Sequence, residues 1–142
     1  MRKANSMAEL EQLIMNEMQR AMSVVYSKSE QDTKNEVQSF YSQGSPTIYK
    51  RTGKLGNSVK THGVSKRGKS IDFYVWLDQT YSYTVPNPDF IEKGFSSYFS
   101  TPMVFEAAEA GTANIKGKSG FWARSEQKIE SDLNSTFASF FH

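Results

Sequence analysis

Tyr49-Lys50-Arg51-Thr52-Gly53-Lys54-Leu55-Gly56-Asn57-Ser58-Val59 joins a long helical pattern to a basic hairpin, and its reading decides the fold. Gly53 permits a tight turn with positive φ, the conformation a chain needs to leave a helix and enter a sheet. Leu55 then returns the chain to the core, and the Ser58 hydroxyl is placed to bond nearby backbone. A helix before this junction and strands after it define an α+β chain.

Before the junction, Ser6-x-x-Glu9 reads as a capping box. Met7, Leu10, Ile14, Met18, Met22 and Val25 follow at three- and four-residue steps, with Leu13 and Ala21 widening the stripe. The pattern thins between Ser27 and Asn35, resumes at Val37, Phe40 and Tyr41, and stops at Gly44 and Pro46. Either one helix overhangs a small domain, leaving part of its stripe for another subunit, or the helix bends or breaks near Ser27–Ser29.

After the junction, Leu55 to Val64 alternates weakly, Lys66-Arg67-Gly68-Lys69 is a turn, and Ile71-Asp72-Phe73-Tyr74-Val75-Trp76-Leu77 is the strongest strand. Ile71, Phe73, Val75 and Leu77 share one face; Tyr74 and Trp76 share the other with Asp72. Apolar residues on both faces predict cover on both sides. Tyr81 to Val85 reads as a third short strand ended by Pro86-Asn87-Pro88. Thr101-Pro102 starts a short helix that Gly111 closes, and from Phe121 onward Trp122, Ile129, Leu133, Phe137 and Phe140 or Phe141 mark a final amphipathic helix.

The expected architecture is one domain over residues 1–142. It has an N-terminal helix 6–43, a basic hairpin and sheet 49–85, a loop 86–100, and helices 101–110 and 121–141. The small antiparallel sheet is expected to have about three to four strands, with the C-terminal helix packed on it.

The 142 residues suffice for a core without staples. With no cysteine, disulfides, thiolate metal sites and a cysteine nucleophile are excluded. No apolar run approaches a membrane span, and the polar, charged start does not read as a signal peptide. The net charge of +2 hides a lopsided distribution: residues 37–71 carry seven Lys or Arg and no Asp or Glu, between acidic flanks. Such a segment suits either nucleic-acid contact or pairing with the acidic part of another subunit.

Little of the chain suggests catalysis. His62 has basic neighbours and His142 is terminal, so neither reads as a metal ligand or general base. Glu106 and Glu109, at i and i+3, read as a solvated pair. No phosphate-loop, dinucleotide or nucleophile-elbow pattern occurs, and no cofactor is expected. Lys50, Arg51 and Lys54, with Lys60, Lys66, Arg67 and Lys69, are the candidates for phosphate contact. Tyr49 is the one aromatic close to the first three, so a solvated or subunit-facing loop explains them more simply than a dedicated nucleic-acid site. Phe90, Phe95, Tyr98 and Phe99 lie in a loop-like stretch without periodicity, as core filling or as a docking loop buried on assembly.

The order of these parts resembles the HK97 gp10-like family of tailed-phage neck and tail-completion proteins, which join head to tail. A long N-terminal helix leads to Arg51-Thr52-Gly53-x-Leu55-x-x-Ser58; a hairpin with an aromatic second strand, Ile71 to Leu77, follows; Phe121-Trp122 opens the last helix. Two places depart. Glu92-Lys93-Gly94-Phe95 has Phe95 where the family has Thr, and Thr101-Pro102-Met103 stands for its Pro-Phe pair.

The resemblance implies a structural virion protein and no enzyme. It implies a homo-oligomeric ring between portal-side proteins and the tail tube, made in the host cytoplasm, through which DNA passes. Arg51, Lys54, Phe95, Tyr98 and Phe99 become candidate contacts to other subunits or neighbours, and Lys50, Lys66, Arg67 and Lys69 candidate DNA-facing cations. The alternative is a small nucleic-acid-binding protein using the basic 50–69 segment without sequence preference.

Overall fold

The computed structural model describes residues 3–44, 53–80, 101–112 and 115–142. Helix α1 runs unbroken over Met7–Ser39, 33 residues or about 50 Å, and one 3-10 turn, Phe40–Ser42, extends it. Strands β1 (Val59–Arg67) and β2 (Ser70–Leu77) form an antiparallel hairpin. Helices α2 (Thr101–Ala110) and α3 (Phe121–Phe140) complete the order.

Local chemistry sets the boundaries. The Ser6 hydroxyl accepts from the Glu9 backbone N–H at 3.1 Å, while the Glu9 carboxylate accepts from Asn5 N–H at 2.7 Å, one residue before the usual capping-box donor. Gly53 has φ +76°, Leu55 is buried, and the Ser58 hydroxyl donates to Leu55 O at 2.6 Å, as expected of that junction.

The core gathers where α1 ends. Val37 and Phe40 meet Leu55, Val59, Val104, Ala107, Ala108, Ile115 and Phe121 there. The Phe40 and Phe121 rings meet edge to face, centroids 5.9 Å apart. Gly117 is required beside them, because a Cβ at that position would fall 2.3 Å from the Phe40 ring.

Two expectations need correction. The sheet has two strands among the described residues rather than three or four; the proposed strand at Tyr81–Val85 lies outside them. Helix α3 packs chiefly along α1, antiparallel to it, and only its first turn reaches the core beside the sheet. Arg124 and Lys128 pair with Glu36, and Phe140 at the far end lies under Arg20. The buried face of α1 joins part of the expected stripe, Ala21, Val25 and Val37, to Ser29 and Thr33 in the stretch where that stripe thins. Together they make a four-residue repeat of small or branched side chains that lets α3 approach closely.

Candidate functional site

Two surfaces stand out. One is the outer face of the hairpin. Phe73 points inward and meets the Tyr26 ring edge-on at 5.6 Å, and the Tyr26 hydroxyl bonds Thr61 at 3.0 Å. The alternation of a strand then sends Tyr74 and Trp76 outward. Both are open, at 51% and 44% exposure, so the expected cover on that side is absent among the described residues. The register sets Lys60 beside Trp76 and His62 beside Tyr74. A bulge after His62, with Gly63 and Val64 opposite Phe73, keeps Ser65 with Asp72 and Arg67 with Ser70 on that face. The Asp72 carboxylate accepts the Ser65 hydroxyl at 2.7 Å.

The other surface is the start of α1. The antiparallel register brings α3 to its end near Arg20. Before that point Met7, Leu10 and Ile14 form an apolar ridge, with Met7 80% exposed. Lys69 at the hairpin tip reaches Glu11 across 3.0 Å, though both side chains are largely solvated and the pair is weak.

Of the candidate cations, Lys66, Arg67 and Lys69 cluster exposed at the hairpin tip and Lys54 is half-buried in the preceding turn. Lys50, Arg51, Phe95, Tyr98 and Phe99 lie outside the described residues, as does Phe90. Tyr74 and Trp76 were missed as surface aromatics, although their alternation with Phe73 and Val75 carried the signal.

Glu109 was misread as solvated. It is half-buried, and its carboxylate accepts the N–H groups of Trp122 at 2.8 Å and Ala123 at 2.9 Å. Gly120 brings no capping side chain, so a carboxylate from α2 does that work at the positive end of α3.

Between the helices, Glu36 accepts from Arg124 Nε at 2.7 Å and Lys128 Nζ at 2.8 Å. Burial pushes its carboxyl up, but the hydrogen bonds and charges of Lys128 and Arg124 outweigh that, and the result lies below the usual range. Asp132 goes the other way: burial and then the charge of Asp32 raise it, against Lys28 and Lys128.

A groove of about 630 Å³ lies between the end of β2 and helices α2 and α3, walled by Trp76, Leu77, Phe105, Phe121 and Trp122. Two of its three lining carboxylates are committed: Asp78 accepts the hydroxyl and N–H of Thr80, which lower its pKa, and Glu109 holds α3, while Glu106 is exposed. Among the described residues no group of acidic or histidine side chains is arranged to hold a metal ion, and no helix is long and apolar enough to cross a membrane. Comparison with family models, curated proteins and solved structures gives no match.

Proposed function

We propose that this chain is a structural virion protein of a tailed phage or prophage, a head–tail joining component that acts as a homo-oligomeric ring between portal-side proteins and the tail tube. The order of helix, Arg51-Thr52-Gly53 junction, aromatic hairpin and terminal helix supports the family, and one structural observation supports the mode of action. The first turns of α1 carry Met7, Leu10 and Ile14 outward, past the end of the helix that covers the rest.

An apolar ridge at three- and four-residue spacing is the form in which a helix presents itself to another protein surface. A second copy is the occupant this reading assigns, because a contact between unlike surfaces of identical chains generates a ring when its rotation closes.

Size-exclusion chromatography with light scattering tests it. The full chain is expected to form a discrete multimer, alone or with neck and tail partners. A Leu10→Asp, Ile14→Asp double variant is expected to run as a monomer with unchanged helical circular dichroism. A wild-type chain that stays monomeric and captures no such partner overturns the reading.

A further inference from the structure

The outer face of the hairpin brings together two side-chain types that the sequence keeps apart. Lys60, His62 and Arg67 come from β1, Tyr74 and Trp76 from β2, and the register sets them on one side of the sheet, away from α1. The two rings are next neighbours on that face, about 7 Å apart along the strand. The His62 ring stands edge-on to Tyr74 with centroids 6.3 Å apart. Lys66 sits opposite Ile71 on the other side of the sheet and Lys69 reaches Glu11, so Lys60 and Arg67 are the cations of the face itself.

The charge and the aromatics together define the ligand. The core of a protein–protein interface is depleted of lysine and other charges, whereas these rings sit among cations from a stretch that carries seven basic residues and no acid. Asp72 on the face is engaged by the Ser65 hydroxyl, and Asp78, beyond Trp76 and near Lys60, is engaged by Thr80. Exposed aromatics spaced along a strand and flanked by Lys and Arg offer stacking platforms to bases and counter-charge to phosphates. A duplex hides its base faces in its own stack, so only an unpaired strand uses both features. We propose that this face binds single-stranded nucleic acid without sequence preference, with adjacent bases stacked on Tyr74 and Trp76 and phosphates on Lys60 and Arg67. The proposal does not rest on the virion reading.

Fluorescence anisotropy of a labelled oligothymidylate and of a matching duplex, titrated with the full chain across a salt series, tests it. The single strand is expected to bind more tightly than the duplex. Tyr74→Ser and Trp76→Ala are each expected to weaken binding by about tenfold or more, while Trp76→Phe retains most of it. Lys60→Ala and Arg67→Ala are each expected to lower the slope of log affinity against log salt by about 0.7. Should Trp76→Ala fail to fold, judged by circular dichroism, Tyr74→Ser carries the test, since the Tyr74 side chain is the more exposed.

Three results overturn the proposal. One is an absence of binding at low salt, and another is equal affinity for duplex and single strand. The third is aromatic variants that leave oligonucleotide affinity unchanged while dissociating a multimer, which assigns the face to subunit contact instead.

Discussion

The two ends of the contact between α1 and the rest of the chain are made of different material. Where α1 finishes, Val37 and Phe40 enter an apolar cluster with Phe121, the largest fully buried side chain among the described residues. Further back, α1 meets α3 along a seam whose fully buried members include Ser29 and Thr33, faced by Ser125 and Thr136 and bridged by Glu36 to Arg124 and Lys128. The apolar end supplies the driving force, because burial of apolar area scales with side-chain size. The polar seam adds little net energy but fixes which residues lie opposite which, since a slide of one turn strands the Glu36 carboxylate away from both cations.

The sharpest break of this contrast is Phe121→Ala. It empties the centre of the apolar cluster and is expected to cost about 3–5 kcal/mol, whereas Ile14→Ala on the exposed ridge stays within about 0.5 kcal/mol in the monomer. Urea denaturation of both variants checks the pair, and similar losses refute the division.

A smaller effect separates the seam from the cluster by pH. The lowered pKa of Glu36 means that its pairing stabilises the fold above the ordinary glutamate range and is lost as pH falls through its folded value. Glu36→Gln is therefore expected to cost about 1–2 kcal/mol near neutral pH and little in acid, because the cations it leaves are partly solvated. Asp132 has the opposite sign. Its raised pKa favours the protonated form in the fold, so its contribution is fullest below the ordinary aspartate range and is lost as pH rises through the folded value. Asp132→Asn is expected to raise stability at neutral pH, with the gain fading on acidification. Thermal melts from about pH 3 to pH 7 follow both; parallel curves for wild type and either variant rule out the assignment.

The same contrast explains what was legible in the sequence. The limits of α1, the Gly53–Leu55–Ser58 junction and the hairpin turn were readable because each rests on residues a few positions apart. Met7, Leu10 and Ile14 of the stripe have the right period but face solvent, while the buried seam continues from Ala21 and Val25 through Ser29 and Thr33, which no hydrophobicity count singles out. The cap on α3 was hidden because Glu109 and its acceptors' partners, Trp122 and Ala123, belong to different helices. Of the candidate site, the tip cations Lys66, Arg67 and Lys69 were readable as a charge run. The stacking face was not, because it depends on a register, shifted by the bulge after His62, that sequence alone does not set.

The finest comparison lies inside the seam itself. The Ser125 hydroxyl donates to Phe121 O at 2.8 Å, one helical turn back, and is satisfied although buried. The Thr33 hydroxyl is equally buried, with no hydrogen-bond partner among the described residues. Leaving such a group unpaired costs about 1–3 kcal/mol, and valine keeps the shape of threonine with similar helix propensity. Thr33→Val is thus expected to stabilise the fold by about 1 kcal/mol, a rise in Tm of about 2–8 °C, while Ser125→Ala gives no gain. Calorimetry on the two single variants decides it: a loss from Thr33→Val shows that the hydroxyl is bonded in solution, as through a buried water, and that the polar seam is better satisfied than its geometry implies.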